Sequence, residues 1–281
     1  MTIQQKRTTK AILVVSFGTT YLETLQLNIE SIENKIKAAF PDYEVRRAFT
    51  SRMVIKKLAA RDGIVVDTEQ QALEKLHAEG YTEVYVQPLH VVAGEEYDKV
   101  KRLVVHYAHT KVFEKIKLGR PLLYFTGQEN QPDDYLVAIN AITQQFPSLD
   151  NETALVLMGH GGVHPANTAY AALQLKLEEA GLARTYIYTV EGFPGLTSVI
   201  EKLRVNKVKK VLLAPFMLVA GDHAQNDMAG DDEESARSQL QQAGFMVEIY
   251  LRGLGENPHI QELYVQHLQD AIIQPYGHKK H

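Results

Sequence analysis

Two stretches of this chain follow a single plan twice. Lys10–Tyr21 reads KAILVVSFGTTY and Thr153–His164 reads TALVLMGHGGVH; further on, Val84–Asp98 (VYVQPLHVVAGEEYD) matches Val211–Gln225 (VLLAPFMLVAGDHAQ). Each is a short apolar run that ends in a turn, the pattern of a strand buried on both faces of a parallel sheet. A chain carrying this pair twice is constrained to two α/β halves built alike. Aligned, Phe17 falls opposite His160 and Glu96 opposite His223, so imidazoles concentrate at the turns of the second copy. Similar halves with unlike turn residues imply a cleft between them with asymmetric chemistry.

Elsewhere the two periodicities alternate. Strands are expected at Ala11–Ser16, Val45–Phe49, Val84–Pro88 and Pro121–Thr126, then at Ala154–Met158, Thr185–Thr189, Val211–Pro215 and Val247–Leu251. Tyr21–Phe40 places Leu22, Leu25, Ile29, Ile32, Ile36 and Phe40 at helical spacing. Further helices are expected at Thr68–Glu79, Tyr97–Val112, Asp133–Phe146, Thr168–Ala180, Gly195–Arg204, Asp232–Ala243 and His259–Ile273. Strands alternating with helices give right-handed crossovers and parallel sheets, whose ligands bind at the carboxyl ends of strands. The expected fold is α/β, two Rossmann-like domains related by the internal repeat with the active-site cleft between them. The 281 residues divide into 1–147 and 148–281, with a linker near Pro147–Glu152.

Composition excludes several classes. A net charge of −4 provides no basic field for nucleic acid or an anionic membrane. The absence of cysteine removes disulfides, thiolate catalysis and thiolate-bound metal, so a metal must be held by His, Asp, Glu or water. No apolar stretch approaches ~20 residues, and no secretion signal is evident, so a cytoplasmic protein is expected. The tail Gly277–His281 (GHKKH) reads as a polar terminus able to pick up adventitious metal.

The chemistry-bearing residues follow the expected strands. Gly159-His160-Gly161-Gly162 puts an imidazole off a strand end in a turn whose glycines let the backbone approach a flat ligand. A turn histidine also serves by bonding to backbone. His223 lies at an expected helix start; with Asp227, Asp231 and Glu234 it would share one helical face, a carboxylate ladder suited to a hydrated divalent cation. Acids there equally offset the helix dipole. Glu191, in TVEGFPG, would complete an open facial site of two imidazoles and a carboxylate for a first-row metal. From the first half, Ser16, Phe17, Gly18 and Thr19, running on to Thr20, offer backbone and hydroxyl donors at a helix start. His90 would line the cleft, and Glu96 is a general base if apolar walls raise its pKa. Walker A, G-x-G-x-x-G and Gly-x-Ser-x-Gly patterns are absent, so neither ATP, another nucleotide nor a serine hydrolase is indicated. His77, His106, His109, His259 and His267 read as helix-surface residues.

Taken together, KAILVVSFGTTY, RAFTSRMVIKKLAARDG (Arg47–Gly63), VQPLHVVAGEEYDKV, VLMGHGG, TVEGFPG, FMLVAGDHAQNDMAGDDEES and GLGENP resemble the class II chelatases. The resemblance is to anaerobic sirohydrochlorin cobaltochelatases of the CbiK type, and it runs almost end to end. It implies two chelatase-type α/β domains and ATP-independent insertion of Co²⁺, as substrate metal, into sirohydrochlorin or precorrin-2 on the oxygen-independent route to cobalamin. It matches His160 and His223 to the family's two histidines, Glu191 to the glutamate that joins them around the metal, and Glu96 to an acidic residue facing the macrocycle. Gly161 and Gly162 would contact the ring. Some members bind haem through a histidine near the position of His90, but those carry a signal peptide. The substrate's eight carboxylates call for cationic or backbone partners, for which Arg47, Arg52 and the Ser16–Thr20 turn are candidates.

Insertion requires two pyrrole protons to leave while the metal sheds water. Neutral imidazoles at His160 and His223 can accept protons near neutral pH, and removing Glu96 would test its part as base. Ferro- or nickel-chelation, and a non-catalytic tetrapyrrole or metal carrier, stay open, because His and Glu ligands discriminate poorly among such ions. A homo-oligomer is compatible with the sequence.

Overall fold

A computed structural model describes residues 9–274; the GHKKH tail and the first eight residues lie outside the described residues. Two four-stranded parallel sheets carry the fold. Strands β1 (Lys10–Ser16), β2 (Glu44–Phe49), β3 (Glu83–Pro88) and β4 (Lys115–Leu118) form the first, in the order β2-β1-β3-β4. Strands β5 (Thr153–Gly161), β6 (Thr185–Glu191), β7 (Lys210–Pro215) and β8 (Met246–Ile249) form the second, in the order β6-β5-β7-β8. The two orders are the same, as the sequence repeat requires. In each sheet the chain reverses its direction of winding between the two central strands. The carboxyl ends of β1 and β3, and of β5 and β7, are therefore topological switch points, where such sheets bind ligands. The repeated stretches are these four strands and the turns that follow them.

The α/β expectation holds, with local corrections. The fourth strand is Lys115–Leu118, not Pro121–Thr126. Pro121 has no N–H to donate, and the segment after it makes only isolated pairings: Leu122 and Leu123 donate to the carbonyls of His90 and Val91 at 2.9 and 2.8 Å. A helix unexpected from the sequence, Arg52–Asp62, starts at Ser51, whose side chain accepts from Val54 N, and stops at Gly63, with φ 68°. The expected helix at Asp232–Ala243 begins only at Ala236, capped by Ser235. The helix 22–39 is broken by a π-helical stretch at Leu25–Glu30. Among the described residues no helix is long and apolar enough to cross a membrane.

The closing helix, Pro258–Ile273, follows the second sheet in sequence but packs on β3 and on Ser31–Ala39 of the first half. The Tyr264 hydroxyl, wholly buried, donates to Leu89 O at 3.1 Å. Ile12 and Phe49 from one half, Leu157 and Phe216 from the other, and Ile260 and Leu268 of this helix belong to one apolar cluster. This shared core joins the two sheets. Arg120 stands at its edge, bonded to both carboxylate oxygens of Asp134 and, through Nη1, to Asp270 at 2.6 Å. His267, expected on the surface, is 3% exposed here, with Nε2 3.4 Å from Asp134.

Burial would raise the Asp134 carboxyl, but His267, Arg120 and the Phe125 N–H outweigh it and hold it below the ordinary range. A depressed folded-state pKa contributes stability that is complete above the unfolded value of about 3.9 and is lost as pH falls through the folded one. Asp270→Ala, which strands part of a buried guanidinium, should cost about 3–5 kcal/mol in urea unfolding; a loss under about 1 kcal/mol would show that the ion network does not secure the last helix.

Candidate active site

His160 is the penultimate residue of β5, beyond the buried run Ala154–Gly159. Its neighbour Gly161 pairs with Glu191 at the end of β6. The approach is so close that a Cβ at Gly161 would lie 1.7 Å from Glu191 O, and φ is 83°. Only glycine fits, and that fit lets Gly162 N donate to Glu191 O at 2.6 Å and turn the chain. The other switch-point turn, Phe216–His223, leads into a helical turn with π geometry at Ala224–Met228.

These two turns bring the histidines together. The rings of His160 and His223 lie edge to face, 4.7 Å between centroids and 85° between planes. His160 Nδ1 is 3.1 Å from Gly161 O, and His223 Nδ1 is 2.7 Å from Asp227 Oδ2. Among the described residues Nε2 of neither ring has a hydrogen-bond partner. These two imidazole nitrogens, one at the end of β5 and one in the turn after β7, are a ready pair of donors for a first-row metal.

The rest of the expected metal set is not assembled. Among the described residues no three His, Asp or Glu side chains are grouped closely enough to hold an ion, so Glu191 forms no closed triad with the two histidines. It contributes its backbone beside Gly161 while its side chain is exposed. The carboxylate ladder is also broken, because the turn stops at Met228 and Gly230 follows. Asp231 pairs with Arg237 at 2.8 Å, whereas Asp227, Asp232, Glu233 and Glu234 line an acidic recess of about 350 Å³ beside the histidines.

The first half meets this edge directly. Tyr21 donates to Asp222 Oδ1 at 3.2 Å, and a Cβ at Gly221 would lie 3.8 Å from the Thr19 hydroxyl. Burial and then the charge of Asp222 raise the Tyr21 pKa. His164 Nε2 lies 3.3 Å from Asp98 of the helix Glu95–Thr110, a second tie across the cleft. The sequence holds no signal for either pairing; His164 merely stands four residues beyond His160. Phe17 is 48% exposed, whereas Ser16 and Thr19 are buried. Gly18 has φ 92° and leaves no room for a side chain against Phe49.

His90 and Glu96 stand near each other at the rim of the first sheet. Burial pushes the His90 imidazole down to about 4, partly offset by Glu96, and both its ring nitrogens are buried without partners. The Glu96 expectation is reversed: burial would raise it, but Lys99, bonded at 2.5 Å, Thr50 and His90 together hold its carboxyl below the ordinary range. Arg47 is bound to Glu33 and Glu30, and Arg52 to Glu69 through two bonds, so neither is a free cation for substrate carboxylates.

Known proteins share this architecture. The cobalt chelatase (CbiK) family model matches residues 10–273. A curated sirohydrochlorin cobaltochelatase of Salmonella typhimurium is 44% identical over 263 residues, covering 94% of this chain and 96% of its own. The sirohydrochlorin cobaltochelatase CbiKC of Nitratidesulfovibrio vulgaris is 32% identical, covering 94% and 91%. The solved structure of SirB from Bacillus subtilis with Fe³⁺ aligns at a TM-score of 0.62 and 17% identity, over 94% of this chain and 95% of that one, a likeness of fold.

Gly161→Ala should cost about 2–3 kcal/mol through the clash with Glu191 O and its positive φ. Gly162→Ala, whose Cβ meets nothing, should cost only the strain of its φ of 139°. Equal thermal midpoints for the two variants would contradict the close approach of β5 and β6.

Proposed function

The chain belongs to the cobalt chelatase (CbiK) family, and on that premise we propose that it inserts Co²⁺ into sirohydrochlorin, in cobalamin biosynthesis, without a nucleotide. The observation that supports the site is the His160–His223 pair, edge to face at a switch point with both Nε2 atoms free. Co²⁺ is a substrate here. The two imidazoles receive it as it sheds water, and the macrocycle lies in the cleft over the turns Phe17–Gly18 and Gly161–Gly162. Glu191 joins the metal by turning its exposed carboxylate inward from the end of β6.

As Co²⁺ passes from the imidazoles to the pyrrole nitrogens, the vacated Nε2 lone pairs can take up the departing pyrrole protons. Glu96, held ionised by Lys99, Thr50 and His90, faces the macrocycle from the rim of the first half. His90, neutral and buried, lines the wall beside it. The protein works in the cytoplasm, with no nucleic acid or membrane as partner.

The test is anaerobic turnover of sirohydrochlorin with Co²⁺, and with Fe²⁺ and Ni²⁺ in parallel, followed by the tetrapyrrole absorption. His160→Ala and His223→Ala should each lower Co²⁺ insertion by roughly 100-fold or more with unchanged melting. Undiminished turnover in either variant would remove the site assignment; stoichiometric binding without turnover in the wild type would make the protein a carrier.

A further inference from the structure

Each imidazole of the pair has one nitrogen engaged, and the partners differ in kind. Gly161 O and Asp227 Oδ2 are acceptors, so a neutral His160 or His223 must carry its proton on Nδ1 to make these contacts. The lone pair is then on Nε2 in both rings. For His160 this is enforced by its own backbone. For His223 it depends on one side chain four residues away, presented on the same side of the helical turn.

We propose that Asp227 is a positioning residue for metal capture: its carboxylate fixes His223 in the Nδ1–H tautomer and in the rotamer that lets Nε2 converge with Nε2 of His160. This rests on the reading of His223 as a residue that receives Co²⁺. Asp227 need not touch the metal, because it acts through the ring that it orients, as carboxylates behind metal-bound histidines do. The bland account is an ordinary i,i+4 surface pair. His223 and Asp227 are 38% and 48% exposed, and a pair so open adds little to stability. The two accounts therefore part company: one predicts an almost silent substitution, the other a protein that melts normally and captures metal poorly. The surroundings favour a dedicated acceptor. Asn226 is occupied with Asp222 at 3.1 Å, and the Tyr188 hydroxyl, buried near enough for the charge of Asp227 to add to its raised pKa, has no partner of its own. Among the described residues no other side chain bonds to Nδ1 of His223.

The experiment has a readout that needs neither metal nor macrocycle. Long-range ¹H–¹⁵N spectra of the ¹⁵N-histidine-labelled full chain, recorded where the imidazoles are neutral, report which nitrogen of His223 carries the proton. The wild type should show Nδ1–H, and Asp227→Ala should shift His223 towards Nε2–H. In turnover, Asp227→Ala should raise KM for Co²⁺ by about 10–100-fold while KM for sirohydrochlorin stays unchanged. Asp227→Asn, whose amide oxygen still accepts, should recover most of the loss. Wild-type His223 in the Nε2–H form, an unaltered tautomer in Asp227→Ala, or a wild-type KM for Co²⁺ in that variant would each overturn the proposal. Failure of the wild type to insert any metal would instead count against the chelatase reading, and the spectra would still decide the tautomer.

Discussion

The architecture hangs on a buried guanidinium. Arg120 follows β4 and holds Asp134 of one first-half helix and Asp270 of the closing helix at once, with His267 packed against the same carboxylate. Desolvating such charges is expensive, and an apolar set of similar volume would serve stability as well. What the network supplies is location. It returns a helix that belongs in sequence to the second half onto the first, and it fixes the start of the segment that runs past His90 to Leu123. With the shared apolar cluster, this makes one body of two similar sheets and keeps their switch points facing each other.

Given that frame, the halves divide the work through residue type alone. The backbone plan at β1–β3 and β5–β7 is the same, and so is the strand order. One copy ends in Phe17 and Glu96, an exposed aromatic and an ionised carboxylate; the other ends in His160 and His223. In the proposed reaction the macrocycle would meet the first of these turn sets on one side and the two imidazoles on the other. The ties Tyr21–Asp222 and Asp98–His164 bring the two walls into contact across the cleft.

How much of this was legible depended on the range of the interactions. The repeat points to two parallel sheets and puts His160 at the end of β5 and His223 in the turn after β7, because apolar periodicity and turn glycines are local signals. Helix Arg52–Asp62 is also written locally, in the Ser51 cap and the Gly63 stop. The false strand at Pro121–Thr126 came from an apolar run that lacks a ladder partner. The ladder from His223 to Glu234 assumed a helix that Gly230 ends. Contacts between distant segments left no trace in the sequence: Arg120 with Asp270, the burial of His267, and the commitment of Arg47 and Arg52 to Glu33 and Glu69. The lowered pKa of Glu96 is of the same kind, since Lys99 and Thr50 act on it only once the chain is folded. The positions of His160 and His223 follow from local signals, whereas the charge partners of Glu96, Arg47 and Arg52 are set by folded-state neighbours.

In the proposed reaction the imidazole pair, and not the acidic recess beside His223, receives the substrate metal. Anomalous diffraction at the cobalt edge from crystals of the protein soaked in Co²⁺ tests this directly. The account predicts one strong peak bonded to Nε2 of both His160 and His223. A peak among Asp232, Glu233 and Glu234 with the histidines unoccupied would contradict it.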